Sequence, residues 1–318
     1  MSRPRTPRIA VVGLVSWDRL YVVERYPAPG SYAIVRESLE APGGRAGNSA
    51  VAAARLGAKV SIAALVGDDP LGERLRQALR DEGIDTTWLS TALEVPTDAS
   101  TIVVSQDPPE RTIFWHPGAR LTRGCRLDIA AIFEHDIVLL DVDDLPLRRF
   151  LVDLPAHTVP TARLLGTLTH LADIASPEVW TLALGHDALV GNQREWLALT
   201  GASSLETAIE RAQEAMVGHN LRAGLITLGA EGAIAFTARE RWSAPAFRVE
   251  VKDPTGAGDA FAGAIAYAMA LRWPWPEALR VANAVAALAT RALGAQTSLP
   301  SLEEVTALLG EDPELLGN

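Results

Sequence analysis

The chain has 318 residues, of which 48% are hydrophobic, and carries 29 Lys and Arg against 39 Asp and Glu, a formal charge of −10 at pH 7. That is enough apolar material for one large α/β unit or two domains, and it leaves disorder at most to the ends. The acidic balance, without a Lys/Arg block, disfavours a nucleic-acid or anionic-membrane surface, and the single Cys125 excludes an internal disulfide or a thiolate metal cluster.

In chain order, MSRPRTPRIAVVGLV is basic, but its apolar part is too short for a signal peptide or a membrane span; a cytoplasmic protein is expected. RIAVVGLV predicts a buried strand, and WDRLYVVERYP and SYAIVRESLEAPGG add two alternating β segments. AGNSAVAAARLG has small and apolar residues at helical spacing and ends at Gly57, KVSIAALVG is a strand, and DPLGERLRQALRDEG is a helix. DTTWLSTALEV and DASTIVVSQDPPERTIFWH predict exposed β material rather than another βαβ unit. The parallel pattern resumes at FEHDIVLLDVDD; Pro155 to Trp180 has no clear period. GHDALVGN, LRAGLITLGAEGAIAFTA and two apolar helices, Ala257 to Leu271 and Trp275 to Thr290, follow. The expected fold class is α/β: a mostly parallel sheet flanked by helices, with a small partly exposed sheet beside it and ligands at the carboxyl ends of the strands.

The stretch VEVKDPTGAGDAFAGAIAYAMAL, Val249 to Leu271, puts Gly256, Ala257 and Gly258 at a helix start, where unpaired N–H groups and the helix dipole favour an anion. Asp259 lies in the first turn, where the same field favours its ionised form. Together they could hold a phosphoryl group and orient an attacking hydroxyl. The same residues also suit a plain helix cap, with Asp253 or Thr255 as the capping side chain. Only Lys59 and Lys252 are lysines, and neither follows a Walker-type glycine run.

DPTGAGDAFAGA resembles the C-terminal signature of the ribokinase-like, or PfkB-type, carbohydrate and nucleoside kinases, and PGGRAGNSAVAAARLG resembles their other signature; the likeness covers roughly Ile9 to Pro300. The resemblance implies a ribokinase-like fold, one kinase domain over residues 1–318, with a β lid from about 17–40 and 96–116. It implies Asp259 as activator of the acceptor hydroxyl, Gly256, Ala257 and Gly258 as the anion hole, and Asp18, Gly44, Arg45, Asn48 and Arg111 as acceptor contacts. Asn48 as a helix cap, Asp18 as a turn residue and Arg45 in a surface ion pair stay open. Arg45 also replaces the lysine of the typical GGKGAN, and Ala46-Gly47 reverses the pair after it. His116 is a weaker lid candidate.

For the nucleotide, the resemblance implies Asn192, Thr227, Gly229, Gly232 and Asn283 as ATP contacts, although a lone Asn283 on an apolar helix also suits an internal hydrogen-bonding residue. Asn192 and Glu195 would position Mg²⁺, partly through water, although N-x-x-E is also a capping box. Asp253, Thr255, Gly294 and Ser298 would hold K⁺, with Thr290 to Gly294 one residue longer than the usual spacing. Asp141, Asp143 and Asp144 suit a cap or a solvated loop, and the six dispersed histidines give no zinc site. The implied function is ATP-dependent phosphorylation of a hydroxyl on a sugar or sugar derivative, with VGLVSWDRLYVVERYPAPG resembling the ketohexokinase and sulfofructose kinase branches. The alternatives are a nucleoside kinase and a non-catalytic sugar- or nucleotide-binding regulator. The partners expected are ATP, a sugar and a second copy, with the lid as a dimer surface, and neither nucleic acid nor membrane.

Overall fold

The computed structural model describes residues 5–154 and 162–310; the ends of the expected domain and part of the stretch without a clear period lie outside the described residues. Runs of Val, Ile, Leu and Ala bounded by Gly and Asp form β1 (Arg8–Gly13), then β2 (Ser16–Val23), β3 (Val35–Gly43), β4 (Lys59–Gly67) and β5 (Leu89–Ala92). They continue as β6 (Ala99–Gln106), β7 (Pro109–His116), β8 (Ile137–Asp141), β9 (Arg163–Thr167), β10 (Ala188–Asn192), β11 (Ala223–Thr227), β12 (Ala233–Phe236) and β13 (Arg241–Ala244). The sheet order is β13-β12-β11-β10-β9-β8-β1-β4-β5, parallel from β11 to β5 and antiparallel at β12 and β13. The central strands β1 and β8 are buried on both faces, which is why they read as unbroken apolar runs.

Between the strands lie α1 (Arg45–Arg55), α2 (Pro70–Asp81), α3 (Ile129–Phe133), α4 (Leu145–Asp153), α5 (Thr169–Asp173), α6 (Pro177–Ala183), α7 (Gln193–Thr200) and α8 (Leu205–Met216). The chain closes with α9 (Ala257–Leu271), α10 (Trp275–Leu288) and α11 (Leu302–Leu309). Residues of α1, α2, α9, α10 and α11 pack in one apolar cluster on one face of the sheet, and residues of α3 to α8 pack in a second on the other. Small side chains decide how closely α1 and α9 approach: a Cβ added at Gly263 would strike the carbonyl of Ser49 and lie 2.9 Å from the Ala52 side chain.

One expected element is corrected. DTTWLSTALEV is not part of the small sheet: β5 pairs in parallel with β4 at the edge of the large one, and α2 makes the crossover of an ordinary βαβ unit. Its short length and exposed Ser90 and Thr91, beside buried Leu89, are what an edge strand needs, and they look like exposed β in sequence.

The second sheet has the order β3-β2-β6-β7. Its register sets Ala41, Asp18, Ser100 and Trp115 in one cross-strand row, and Glu37, Val22, Val104 and Arg111 in another. The two rows lie four residues apart along each strand, so they share one face. No helix among the described residues is long and apolar enough to cross a membrane.

Candidate active site

The carboxyl ends of β1, β8 and β10 meet the starts of α1 and α9 at one edge of the large sheet. Ala46 and Gly47 donate their N–H groups to the carbonyl of Leu14 just past β1, and Arg45 reaches Asp141 at the end of β8. The small sheet folds over this edge. A cleft of about 770 Å³ runs between its face and the loop before α9, lined by Val22, Val104, Arg111, Lys252, Asp253 and Leu293 among others.

α9 starts without a side-chain cap, at Gly256 with φ 81°. A Cβ there would lie 2.7 Å from that of Ala295, so both conformation and space require glycine. The N–H of Ala257 donates to the Pro254 carbonyl, whereas those of Gly256 and Gly258 have no acceptor among the described residues. A Cβ at Gly258 would meet nothing within 4 Å, so this side of the turn is open.

Asp259, the third residue of α9, lies in its first turn and is half-buried. Loss of water pushes its pKa up to about 7; the Asn48 amide and Arg45 pull it down, while Asp141 and Glu195 push it further up. The helix field predicts an Asp held ionised, and here desolvation outweighs that field. Asn48 Nδ2 donates to Asp259 Oδ2 at 2.8 Å, and Ser49 Oγ donates to the Asp259 carbonyl at 2.9 Å. Asn48 is therefore no cap. It is the fourth residue of α1, whose N-cap is Gly44 at φ 84°, where a Cβ would lie 2.6 Å from the Ser16 nitrogen.

On the small sheet, Asp18 is 6% exposed and its pKa is pushed up to about 6, mainly by burial, against one hydrogen bond from Ser16 Oγ at 3.1 Å. A side chain at Gly43 would occupy the Asp18 carboxylate. Arg45 donates through Nε to both Asp141 oxygens at 3.0 Å and through Nη2 to Asp143. These carboxylates hold its pKa well above the ordinary value.

Asp141 is neither cap nor solvated loop. It is 2% exposed and also accepts from Thr167 Oγ1 at 2.6 Å, and Asp143 serves as Arg45's second partner. Asp144 does cap a helix, accepting from the Leu147 N–H at 2.8 Å. Arg111 crosses from β7 to donate to Thr255 Oγ1 at 2.6 Å, and lies 4.0 Å from Asp253. His116 contacts Thr101 at 3.1 Å on the other face of the small sheet.

The nucleotide-side residues divide by contact. Asn192 and Glu195 form the capping box of α7, at 2.8 and 2.9 Å, and burial raises the pKa of Glu195. Thr227 ends β11 and leads to Gly229 and Gly232, with φ 61° and 103°; a Cβ at Gly232 would strike the Ala244 carbonyl. Asn283, 5% exposed, donates to the carbonyls of Ala244 and Pro245 at 2.9 and 3.1 Å, and so holds the chain leaving β13.

Asp253 ties two loops together. It accepts from the Thr255 N–H and hydroxyl at 2.9 and 2.5 Å and from the Gly294 N–H at 2.9 Å. Ser298 closes the second loop onto the Ala289 carbonyl at 2.6 Å. Among the described residues no group of three or more His, Cys, Asp or Glu could hold a metal ion. A divalent ion here would need ligands from substrate and water, which is how Mg²⁺ is usually bound; the oxygen-rich Asp253, Thr255 and Ser298 loops suit a monovalent cation.

Three residues of this region carry no local sequence signal. Gln296 donates to Asn48 Oδ1 at 3.0 Å. Asp98, with its side chain 1% exposed, accepts from the Trp115 indole N–H and from Arg120, whose guanidinium lies over the Trp115 ring. A buried polar residue outside a helix was the only available clue.

A parallel α/β sheet with a carboxyl group beside free helix-start amides is an arrangement suited to phosphoryl transfer. The family model for the pfkB family carbohydrate kinases matches residues 6–302. A ribokinase of Haemophilus influenzae is 31% identical over 309 residues, 95% of this chain and 98% of the relative. An aminoimidazole riboside kinase of Salmonella typhimurium is 30% identical over 292 residues, 85% of this chain and 88% of that one. The structure of Arabidopsis thaliana ribokinase complexed with ribose and ATP superposes with a TM-score of 0.82 at 24% identity, covering 96% of this chain and 99% of that one. The chain belongs to the pfkB family and is a carbohydrate kinase with the ribokinase-like fold.

Proposed function

We propose that this kinase transfers the γ-phosphoryl group of ATP to a sugar hydroxyl, with Asp259 as the proton acceptor. The hydroxyl O–H bond breaks toward Asp259, a new O–P bond forms, and the bond to the departing ADP oxygen breaks. The observation that carries this is the carboxyl of Asp259 in the first turn of α9, directly after the unpaired amide of Gly258 and close to that of Gly256; burial raises its pKa to about 7. A group that titrates near working pH combines availability of the base form with enough basicity to take a proton. The two amides would receive the negative charge of the moving phosphoryl group, with Ala257 shaping the turn between them.

Asp18, Asn48 and Gly44 would hold the acceptor. Arg45, held by Asp141 and Asp143, would act as a fixed cationic wall rather than a free ligand fork. Arg111 would draw the small sheet down as a lid, joining it to the Thr255 loop. Asn192 and Glu195 fit Mg²⁺ held partly through water, and the ion would supply charge neutralisation on the phosphates. Thr227, Gly229, Gly232 and the Ala244–Pro245 segment held by Asn283 would bound the nucleotide. Asp253, Thr255, Gly294 and Ser298 would take K⁺ and stiffen the turn before α9.

A cytoplasmic setting, where ATP is supplied, goes with this reading. So does a homodimer through the lid, whose edge strand β7 exposes Ile113 and Phe114.

A riboside acceptor is a second reading, and one observation favours it. Trp115, 52% exposed and held by Asp98, shares a cross-strand row with Asp18 two strands away, about 10 Å. That span suits a sugar carrying a ring substituent, with the hydroxyls at Asp18 and the ring toward Trp115. Purified protein with ATP and Mg²⁺, screened against aldoses, ketoses and nucleosides, tests both readings. Product with free sugars alone removes the riboside reading, and product with none points to a binding protein or to an acceptor outside the panel.

A further inference from the structure

We propose that Gln296 is a positioning residue for phosphoryl transfer: it fixes which end of the Asn48 amide faces Asp259, and thereby keeps Asp259 in its proton-accepting form. The inference rests on the role given to Asp259 above.

The three side chains form a directed relay. Gln296, 6% exposed in the loop between α10 and α11, donates through Nε2 to Asn48 Oδ1 at 3.0 Å, and Asn48, 4% exposed, donates through Nδ2 to Asp259 Oδ2 at 2.8 Å. An amide has one donating and one accepting end, whereas an ionised carboxylate only accepts. Asp259 as a base therefore needs the NH₂ end of Asn48, which leaves the Asn48 oxygen facing away, buried, and in need of a donor. Gln296 is that donor.

Gly47 leaves it room, since a Cβ there would lie 3.3 Å from Gln296 Nε2. With an acceptor at position 296 the cheapest repair is a turned Asn48 amide, its NH₂ toward residue 296 and its oxygen toward Asp259. Asp259 then keeps a hydrogen bond only by holding a proton. The other charged groups acting on Asp259 are Asp141 from β8 and Glu195 from α7, which favour the protonated form, and Arg45 from α1, which opposes it. Among the described residues none of them shares a hydrogen bond with Gln296.

The test compares Gln296→Glu, the same shape with the donor removed and an acceptor in its place, with Gln296→Met, which fills the space and offers neither. Turnover is measured with ATP, Mg²⁺ and the acceptor found in the panel above, starting with D-ribose. Asp259 ionisation is followed independently by its carboxyl ¹³C shift. Gln296→Glu is expected to lower kcat at pH 7 by roughly fivefold or more, the loss of base form when a group titrating near 7 moves up by about one pH step. Its acid limb and the ¹³C midpoint should move up by about one pH step or more, with the KM for ATP within about threefold.

Gln296→Met should lose less than Gln296→Glu. A packing role predicts the reverse order, because glutamate is the better fit in shape. In an Asp259→Asn background, where residue 259 can itself donate or accept, Gln296→Glu should cause no further loss of the residual turnover. Wild-type kcat and pH limb in Gln296→Glu, with Asp259→Asn inactive, would overturn the relay alone. An active Asp259→Asn would overturn the reading of Asp259 beneath it.

Discussion

Replacing Asp259 with Asn should make the protein both slower and more stable, and the second effect is the sharper test. Folding moves this carboxyl from 3.8 to about 7, chiefly by removing it from water. Above pH 7 the folded protein therefore holds an anion where it would rather hold a neutral acid. At about 1.4 kcal/mol per tenfold, the full cost at pH 8 would be about 4 kcal/mol. Asp259 is only half-buried, so solvent screening reduces this to about 1–2 kcal/mol.

The sign runs opposite to that of a salt-bridged aspartate. Below pH 3.8 the carboxyl is protonated in folded and unfolded chains alike and costs nothing; the cost grows as pH rises and is complete above about 7. An asparagine still accepts from Asn48 but carries no charge. Asp259→Asn should accordingly raise the Tm by about 2–5 °C at pH 8 and by clearly less at pH 5. Its kcat should fall about 10²- to 10⁴-fold with the KM for ATP nearly unchanged. Thermal melts across pH 5 to 8 beside steady-state kinetics read both. A Tm that drops at pH 8, or a gain that is the same at both pH values, would refute the desolvation argument, whatever happens to turnover.

Asp18→Ala should raise the acceptor KM about 100-fold, about 3 kcal/mol for two charge-assisted hydrogen bonds. Because the Asp18 pKa is about 6, wild-type acceptor affinity should weaken as pH falls below that value, and Asp18→Asn should abolish the trend; an acceptor KM flat from pH 5 to 8 in the wild type would contradict it. Gly256→Ala, with φ 81° and Ala295 at 2.7 Å, should cost about 2–3 kcal/mol in denaturant melts. Gly258→Ala, whose new methyl meets nothing within 4 Å, should leave stability nearly intact and lower kcat by crowding the amide face. Trp115→Ala should weaken nucleoside acceptors more than free sugars, and equal loss for both would place the ring outside the acceptor site.

Much of this architecture is written in local sequence. Small residues before and after Asp259, and the same composition around Asn48, announce two helices that can pack closely and start at glycine turns. What local sequence could not convey is the environment that long-range contact creates. The Asp259 charge state depends on burial under α1, 211 residues away in the chain, and the partners of Arg45 lie 96 and 98 residues downstream. Asp141 looked like a loop residue because its neighbours Asp143 and Asp144 are polar, yet it ends a central strand. β5 reads as exposed β of the small sheet because four residues at a sheet edge carry too little apolar pattern to tell one sheet from another.

The base is positioned by a helix pair more than by a loop, and this explains why the composition of that pair is so restricted. Gly263 and Ala52 let the α9 backbone approach the Ser49 carbonyl, and Ser49 then bonds the Asp259 carbonyl while Asn48, one residue earlier, bonds its carboxylate. One close contact thus fixes both the helix and the group it carries. A larger residue at Gly263 would separate the helices and lengthen the Asn48 hydrogen bond without touching substrate. Gly263→Val should therefore lower kcat as well as stability, although position 263 faces the interior. Turnover that stayed at the wild-type level in folded protein would mean the loop alone sets the geometry.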